Sequence, residues 1–452
     1  MNTPTITRRH FLMGSLATAT ASRFAYAQKK ESANDKLNIA CVGCGGQGGA
    51  DLRSVSGENI VAMCDVDSAR AAKAFERYPD VPKYDDFRVM LEKEYKNIDA
   101  VVIAIPDHMH AFVAMAAMEL GKHVYVEKPM AHSISEVRKL TEAARRYGVV
   151  TQMGNQGHSF KGVWELDHMV KSGWLGNVTE VHSWTNRPSW PQGIGRPEET
   201  PPVPETLNWD VWLGPAPERP YNPAYCPRNW RGWQDFGAGA LGDMGCHIMD
   251  APYYSLGLTA ATRASAEATD VNDETFPSSC TVTMEFPARG EMPPVTYTWR
   301  EARLLPPRPE GLPDYVQFHD PDKEKSDDII YLGDKDCGSI LVGDKAMVTC
   351  DTYGPRPRFL DNDTQAEYDA SEKPELNGAN HHRNWIDACK GIGQANSRFD
   401  YAGPFTETVL MGNLAVQAGE PIEYDPKTMR VTNVPDANRF VEREYRKGWS
   451  LG

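Results

Sequence analysis

Beyond its N-terminus the chain has no apolar run long enough to span a bilayer, which excludes an ordinary helical anchor there. Positive charge is also scarce. Against 62 Asp and Glu stand 48 Lys and Arg, a formal balance of −14. Nucleic acids and anionic membranes reward clustered cations, so a small neutral or polar ligand is the better expectation. A disulfide framework is missing as well: the nine cysteines are odd in number and scattered from Cys41 to Cys389. Cys41-x-x-Cys44 has no second ligand pair nearby, and His108 with His110 or His381 with His382 make no metal-ligand spacing. Buried thiols and no metal are therefore expected. There is no internal repeat.

Residues 1–27 contain Arg8, Arg9 and Arg23 and no acid. Paired arginines ahead of the mildly apolar Met13–Ala21, then the small-x-small pattern Ala25-Tyr26-Ala27, read as a twin-arginine export signal. The plainer alternative is a basic tail. Export predicts a periplasmic or other location outside the cytoplasm. At 452 residues the chain exceeds one ordinary core, and two domains are expected.

What the chain does have is a strand, a glycine turn, a helix start and a second strand ending in an acid. Leu37–Val42 is apolar enough for a buried strand, and Gly43, Gly45 and Gly48 fall on the G-x-G-x-x-G spacing. In a dinucleotide fold these make the tight turn, admit the pyrophosphate and let helix and strand pack closely. The phosphates then sit on the free N–H groups of the helix start. Asp65 ends the second run, Ile60–Cys64, 17 residues after Gly48. A carboxylate there accepts ribose hydroxyls and repels a 2′-phosphate, which favours NAD over NADP. An ordinary βα loop is the alternative.

Strands and helices continue to alternate. Ile98–Ile105 is nearly continuous in apolar residues, as in a parallel strand covered on both faces. Helices are expected over 68–77, 84–91, 107–121 and 133–147, with strands at 122–127 and 149–153. Together these predict a doubly wound parallel sheet. After Gly154 the pattern changes. Residues 185–235 are rich in proline, and Trp184, Trp190, Trp209, Trp212, Trp230 and Trp233 cluster there. Their rings would stack on sugars or pack an irregular arm across a partner subunit. Alternation from 262 to 300 and at 339–350 predicts antiparallel strands. Residues 301–328 read as an exposed insertion, and helices are expected from Ala379 and over Thr406–Ala418.

Two constellations could do chemistry. Lys128 ends a parallel strand, where open α/β sheets place their ligands. It would hold a hydroxyl or carboxylate, lose its proton if desolvated, or simply be a surface lysine. Asp243 and His247 are four apart and share a face if the segment is helical. The histidine would take a proton as hydride leaves the same carbon. Equally, Asp243 would cap the helix and His247 would be a satisfied core histidine.

Ile39 to Asp65, then Gly121-Lys-His-Val-Tyr-Val-Glu127-Lys128-Pro129, Gly154-Asn155 and Asp243-x-x-x-His247 stand in an order that resembles the glucose-fructose oxidoreductase, inositol dehydrogenase and rhizopine-catabolism (Gfo/Idh/MocA) family. The resemblance is strong over 37–155 and around 243–250, and weaker through the aromatic segment and the 301–328 insertion. It implies an α/β protein: a Rossmann domain with a doubly wound parallel sheet over 36–155, and an α/β domain with a large, mostly antiparallel open sheet over 156–452. It further implies that Lys128 contacts the reacting hydroxyl, Asp243 positions substrate and His247 is the general acid or base. The implied cofactor set is Gly43, Gly45, Gly46, Gln47, Gly48, Asp65, Pro106, His110, Glu127, Lys128 and Asn155. The sheet's open face would make a homo-oligomer.

The leading expectation is an NAD-dependent oxidoreductase acting on a secondary hydroxyl of a sugar, glycoside or cyclitol; the resemblance implies that some exported members keep the cofactor tightly bound. A second is a redox-neutral glycosidase or lyase that oxidises the sugar transiently. A third is a non-catalytic sugar-binding module.

Overall fold

Six short strands run parallel through the first part of the chain: β1 (Asn38–Val42), β2 (Asn59–Cys64), β3 (Lys83–Tyr84), β4 (Ala100–Ile103), β5 (His123–Val126) and β6 (Thr151–Met153). The computed structural model describes residues 36–451 except 319–325, 327 and 335; the expected export signal lies outside the described residues. The spatial order β3-β2-β1-β4-β5-β6 reverses direction between β1 and β4, and every pair is parallel. Between the strands lie α1 (Gln47–Ser54), α2 (Ser68–Arg77), α3 (Phe87–Glu94), α4 (Asp107–Glu119) and α5 (Ile134–Tyr147). β4 is buried at all four residues, because helices cover both faces.

Local chemistry sets the helix ends. The Asp67 carboxylate accepts the Ala69 and Arg70 N–H groups to start α2. Ser133 and Glu136 form a reciprocal capping box for α5, and Gly148, at φ 64°, closes it. β4 is shorter than the apolar run 98–105, and α3 begins three residues after the expected 84, where Asp86 caps it.

The rest of the chain forms a nine-stranded sheet ordered β15-β14-β13-β7-β10-β9-β8-β16-β17. In chain order these are β7 (Val178–Trp184), β8 (Arg263–Thr269), β9 (Ser279–Phe286), β10 (Val295–Arg300), β13 (Gly338–Gly343), β14 (Met347–Cys350), β15 (Arg358–Phe359), β16 (Ile422–Asp425) and β17 (Arg430–Val431). Only β7 and β10 pair in parallel. Along β9, Cys280, Val282, Met284 and Phe286 are buried while Glu285 is exposed, so one face carries the core. Three further helices complete the frame: α6 (Lys161–Lys171), α7 (His381–Cys389) and α8 (Phe399–Ala418). α8 packs against β8, β9 and α5 and so joins the two sheets through one hydrophobic core. Leu37–Gly452 is a single unit. Among the described residues no helix is long and apolar enough to cross a membrane.

Three expectations change. Asp243 and His247 do not share one regular α-helix: Leu241–Gly245 is a π-helical turn that gives way to α-helix at Cys246. The insertion is only partly exposed, for Val316–Phe318 pairs in parallel with Ile330–Leu332 and Phe318 packs edge-on to Trp184. α8 starts at Phe399 and carries Pro404 inside it, seven residues before the expected start.

The tryptophan-rich arm packs within the chain, and Trp212 and Trp230 also border the cavity described below. Trp209 stacks on Trp212 with centroids 4.8 Å apart, and Trp212, Tyr225, Trp233 and Phe236 form a separate small core. All nine cysteines are free and eight are buried.

Candidate active site

A cavity of about 620 Å³ runs from the glycine turn to the π-helical segment. It opens where the β1/β4 reversal leaves a crevice at the strand ends, the place such sheets bind ligands. The glycines at its first end are required by close approach. Gly43 has φ +83°, and a Cβ there would run into the Ala104 carbonyl. A Cβ on Gly48 would meet the Gly43 oxygen, and one on Gly45 would stand 2.5 Å from Arg70 Cγ. The first turn of α1 has no acidic residue and no side-chain cap, so its N–H groups are free for an anion. Asp65 borders the same cavity; its Oδ2 accepts Cys44 N–H at 2.8 Å and its Oδ1 accepts Asp67 N–H at 3.0 Å. Each oxygen keeps a second lone pair for a hydroxyl. This end fits a dinucleotide.

At the other end, Lys128 reaches over from the end of β5. Its Nζ donates to Asp243 Oδ1 at 2.6 Å and to the Asp243 carbonyl at 3.0 Å. Arg231 approaches Asp243 Oδ1 with Nε at 3.2 Å and Asp107 Oδ1 with Nη1 at 3.3 Å. Burial opposes the Asp243 charge, but Lys128 and then Arg231 outweigh it, so the carboxyl stays well below the usual range. Burial raises Asp107 against the pull of Arg231. His247 lies beside this cluster, 7% exposed, its ring 4.8 Å from that of Tyr353. Burial, reinforced by Lys128, lowers its pKa to about 3, against the opposing pull of Asp243. The imidazole is neutral near neutral pH. Its Nδ1 is buried with no hydrogen-bond partner among the described residues, an uncommon state for a core histidine.

Of the residues singled out from sequence, Gly43, Gly45, Gln47, Asp65, Pro106, Glu127, Lys128, Asp243 and His247 line the cavity together. Gly46, Gly48, His110 and Asn155 stand outside its wall. His110 is fully buried, with Nδ1 2.7 Å from the Pro129 oxygen and Nε2 2.8 Å from the Ile105 oxygen, where it ties α4 to the segment that carries Lys128. Asn155 faces inward: it donates to Asp250 at 3.0 Å and accepts from Ser397 at 2.6 Å, and its neighbour Gln156 reaches the wall instead.

Sequence reasoning missed Asp107, Arg187, Arg231 and Tyr353, all on the wall. Arg231 and Arg187 come from the irregular arm, where no periodicity marks a facing direction. The Trp190 and Trp230 rings frame Arg231, with its guanidinium carbon 5.9 and 4.3 Å from their centroids. Tyr353 is positioned because Gly157 and Gly162 let the 353–355 loop approach closely: a Cβ on Gly157 would stand 2.6 Å from the Tyr353 oxygen.

Comparison with known proteins agrees with this architecture. The chain is 32% identical over 152 residues to inositol 2-dehydrogenase of Salmonella typhimurium, covering 32% of this chain and 45% of that protein. It is 33% identical over 168 residues to glycosyl hydrolase family 109 protein 2 of a Shewanella species, covering 30% and 36%. These matches thus span less than half of either relative. In fold it is similar to the WlbA dehydrogenase of Bordetella pertussis, solved with NADH and UDP-GlcNAcA, at a TM-score of 0.59 and 16% identity over 86% of this chain and 99% of that one. Residues 37–155 match the model described as oxidoreductase family, NAD-binding Rossmann fold, and residues 160–286 match the oxidoreductase family's C-terminal alpha/beta domain. With matches that together cover more than half of its residues, this chain belongs to the Gfo/Idh/MocA oxidoreductase family.

Proposed function

We propose that this protein is a nicotinamide-dependent oxidoreductase, using NAD in preference to NADP, that acts on a secondary hydroxyl of a sugar, glycoside or cyclitol. The observation that carries the reading is the meeting of Lys128, Asp243 and a neutral His247 on the wall of the cavity that begins at the glycine turn. Of the three N–H donors on Lys128, two point at Asp243, leaving one for a substrate oxygen. Asp243, held ionised, fixes Lys128 and Arg231. His247 accepts the hydroxyl proton as the C–O bond gains double-bond character. When bound, the nicotinamide supplies the hydride acceptor. The glycine turn and the start of α1 would hold its pyrophosphate, and Asp65 the ribose. The similarity to inositol 2-dehydrogenase supports the polyol class.

A second reading, redox-neutral glycoside cleavage through transient sugar oxidation, is favoured by the similarity to the Shewanella glycosyl hydrolase family 109 protein. One experiment tests both. The purified protein is denatured and its released NAD(H) is quantified, and the native protein is then offered sugars, cyclitols and aryl glycosides with added NAD. Net nicotinamide reduction is expected. Aglycone release without net reduction selects the second reading, and no nucleotide bound before or after addition rejects both.

A further inference from the structure

At the substrate end of the cavity one cation stands apart from the carboxylates Asp243, Asp107 and Glu127. Lys128 is matched by Asp243, and Arg231 by Asp243 and Asp107. Arg187 lines the same wall beside His247 and Tyr353 and has no carboxylate within ion-pair reach among the described residues. Its Nη1 donates to the neutral Ser189 hydroxyl at 2.6 Å, and its Nε is buried with no hydrogen-bond partner among the described residues. A guanidinium carries five N–H donors in a rigid fork and is always charged. Leaving one of these donors dry and unpaired costs free energy that the fold has not offset.

This arginine is held by its backbone. It follows the end of β7 by three residues, its N–H donates to Thr185 Oγ1 at 3.3 Å, and its carbonyl accepts from Ala302 N–H at 2.6 Å. Thr185 is fully buried and its own N–H donates to the Arg300 carbonyl. The large sheet therefore anchors Arg187. The Tyr353 ring meets that of His247, and burial raises its hydroxyl pKa, with the Asp243 charge adding to that shift and the Arg187 charge opposing it.

A neutral sugar offers the fork only dipoles, whereas a carboxylate offers two parallel charged hydrogen bonds. We propose that Arg187 forms a carboxylate-binding subsite, so that the hydroxyl oxidised belongs to a sugar acid or another polyol bearing a carboxylate. The second half of this statement rests on the oxidoreductase reading of Lys128 and His247.

The test measures binding and turnover separately on the full chain saturated with NAD. Calorimetric titration compares D-glucuronate with D-glucose and D-galacturonate with D-galactose, and nicotinamide reduction is followed with the same sugars. Hydrogen bonds to charged groups predict that each acid binds roughly 10- to 100-fold more tightly than its neutral partner. Arg187→Gln should bring that ratio close to one. Arg187→Lys, which keeps the charge and loses the fork, should fall between. Equal binding of acid and neutral sugar by the unmodified protein overturns the subsite, as does an acid preference that survives Arg187→Gln undiminished. If Arg187→Gln fails to fold, the ratio in the unmodified protein and its change in Arg187→Lys decide. An Arg187-dependent preference without reduction of nicotinamide keeps the subsite and rejects the oxidoreductase reading. Reduction by neutral sugars with no preference for acids does the reverse.

Discussion

At His247, burial and the Lys128 ammonium both disfavour an imidazolium, and together they bring its pKa from an ordinary 6.5 to about 3. The ring is therefore unprotonated throughout the neutral range, as the proposed role of proton acceptor requires. As far as this group is concerned, kcat/KM should stay level from about pH 5 to about pH 8; an acid limb centred near the ordinary histidine value would show that the ring is not held as described. His247→Gln should lower kcat by roughly 100- to 10,000-fold, the usual worth of a positioned base, with NAD affinity kept. Read in isolation, Lys128, Asp243 and His247 each had an ordinary structural reading; they were singled out through the motifs Glu127-Lys128-Pro129 and Asp243-x-x-x-His247 that carry the family resemblance. Arg187, Arg231, Asp107 and Tyr353 were not. They are contributed by an arm and a loop whose course is set by tertiary contacts, and a lone arginine or tyrosine in such a segment has no pattern to mark it. His110 and Asn155, singled out with the cofactor set, stand outside the cavity wall and brace its frame.

The glycine turn works as an element, because β1 and α1 must come closer than any side chain permits. Gly48→Ala puts a Cβ against the Gly43 oxygen and should destabilise the protein by about 2 kcal/mol or more, with a loss of NAD affinity larger than the stability change alone predicts. Gly57→Ala is the control, since no atom lies within 4 Å of its Cβ position; thermal melts and NAD titrations of the two variants should diverge. Where element boundaries moved, the cause is local chemistry that periodicity does not report. Asp86 caps α3 later than the apolar pattern suggests. The π-helical turn at Leu241–Gly245 carries Asp243, and such turns gather at functional sites.

Across the whole molecule, His381 links the two sheets' surroundings. Its Nε2 lies 2.8 Å from the Met153 oxygen at the end of β6, and its Nδ1 is 2.7 Å from Ser159 Oγ. Burial lowers its pKa from 6.5 to about 3, although the Met153 bond opposes this. A group whose folded pKa is depressed this way binds protons more readily when unfolded, so its stabilisation is present above about pH 6.5 and is lost as pH falls toward 3. The loss is about 1.4 kcal/mol per pH unit inside that window. Asp65, Asp107 and Glu127, which burial raises, act in the other direction but are shared by any variant of His381. His381→Gln should therefore be less stable than the unmodified protein at pH 7, and the gap should narrow by pH 5. Urea unfolding at the two pH values checks this, and a gap that stays constant would mean that His381 titrates normally in the folded state.

The amino-acid sequence by itself determined the parallel alternation of strands and helices and the glycine turn with Asp65. Each of these is written in contacts between residues close along the chain: apolar periodicity, caps, turn glycines and short motifs. Only the tertiary structure decided which cations share the cavity, that Trp212 and Trp230 of the aromatic arm border it, and that Arg187 arrives there with no carboxylate partner among the described residues. Those facts depend on segments far apart in sequence meeting at the end of a strand, and the energy of such a meeting is spread over many side chains rather than carried by any local pattern.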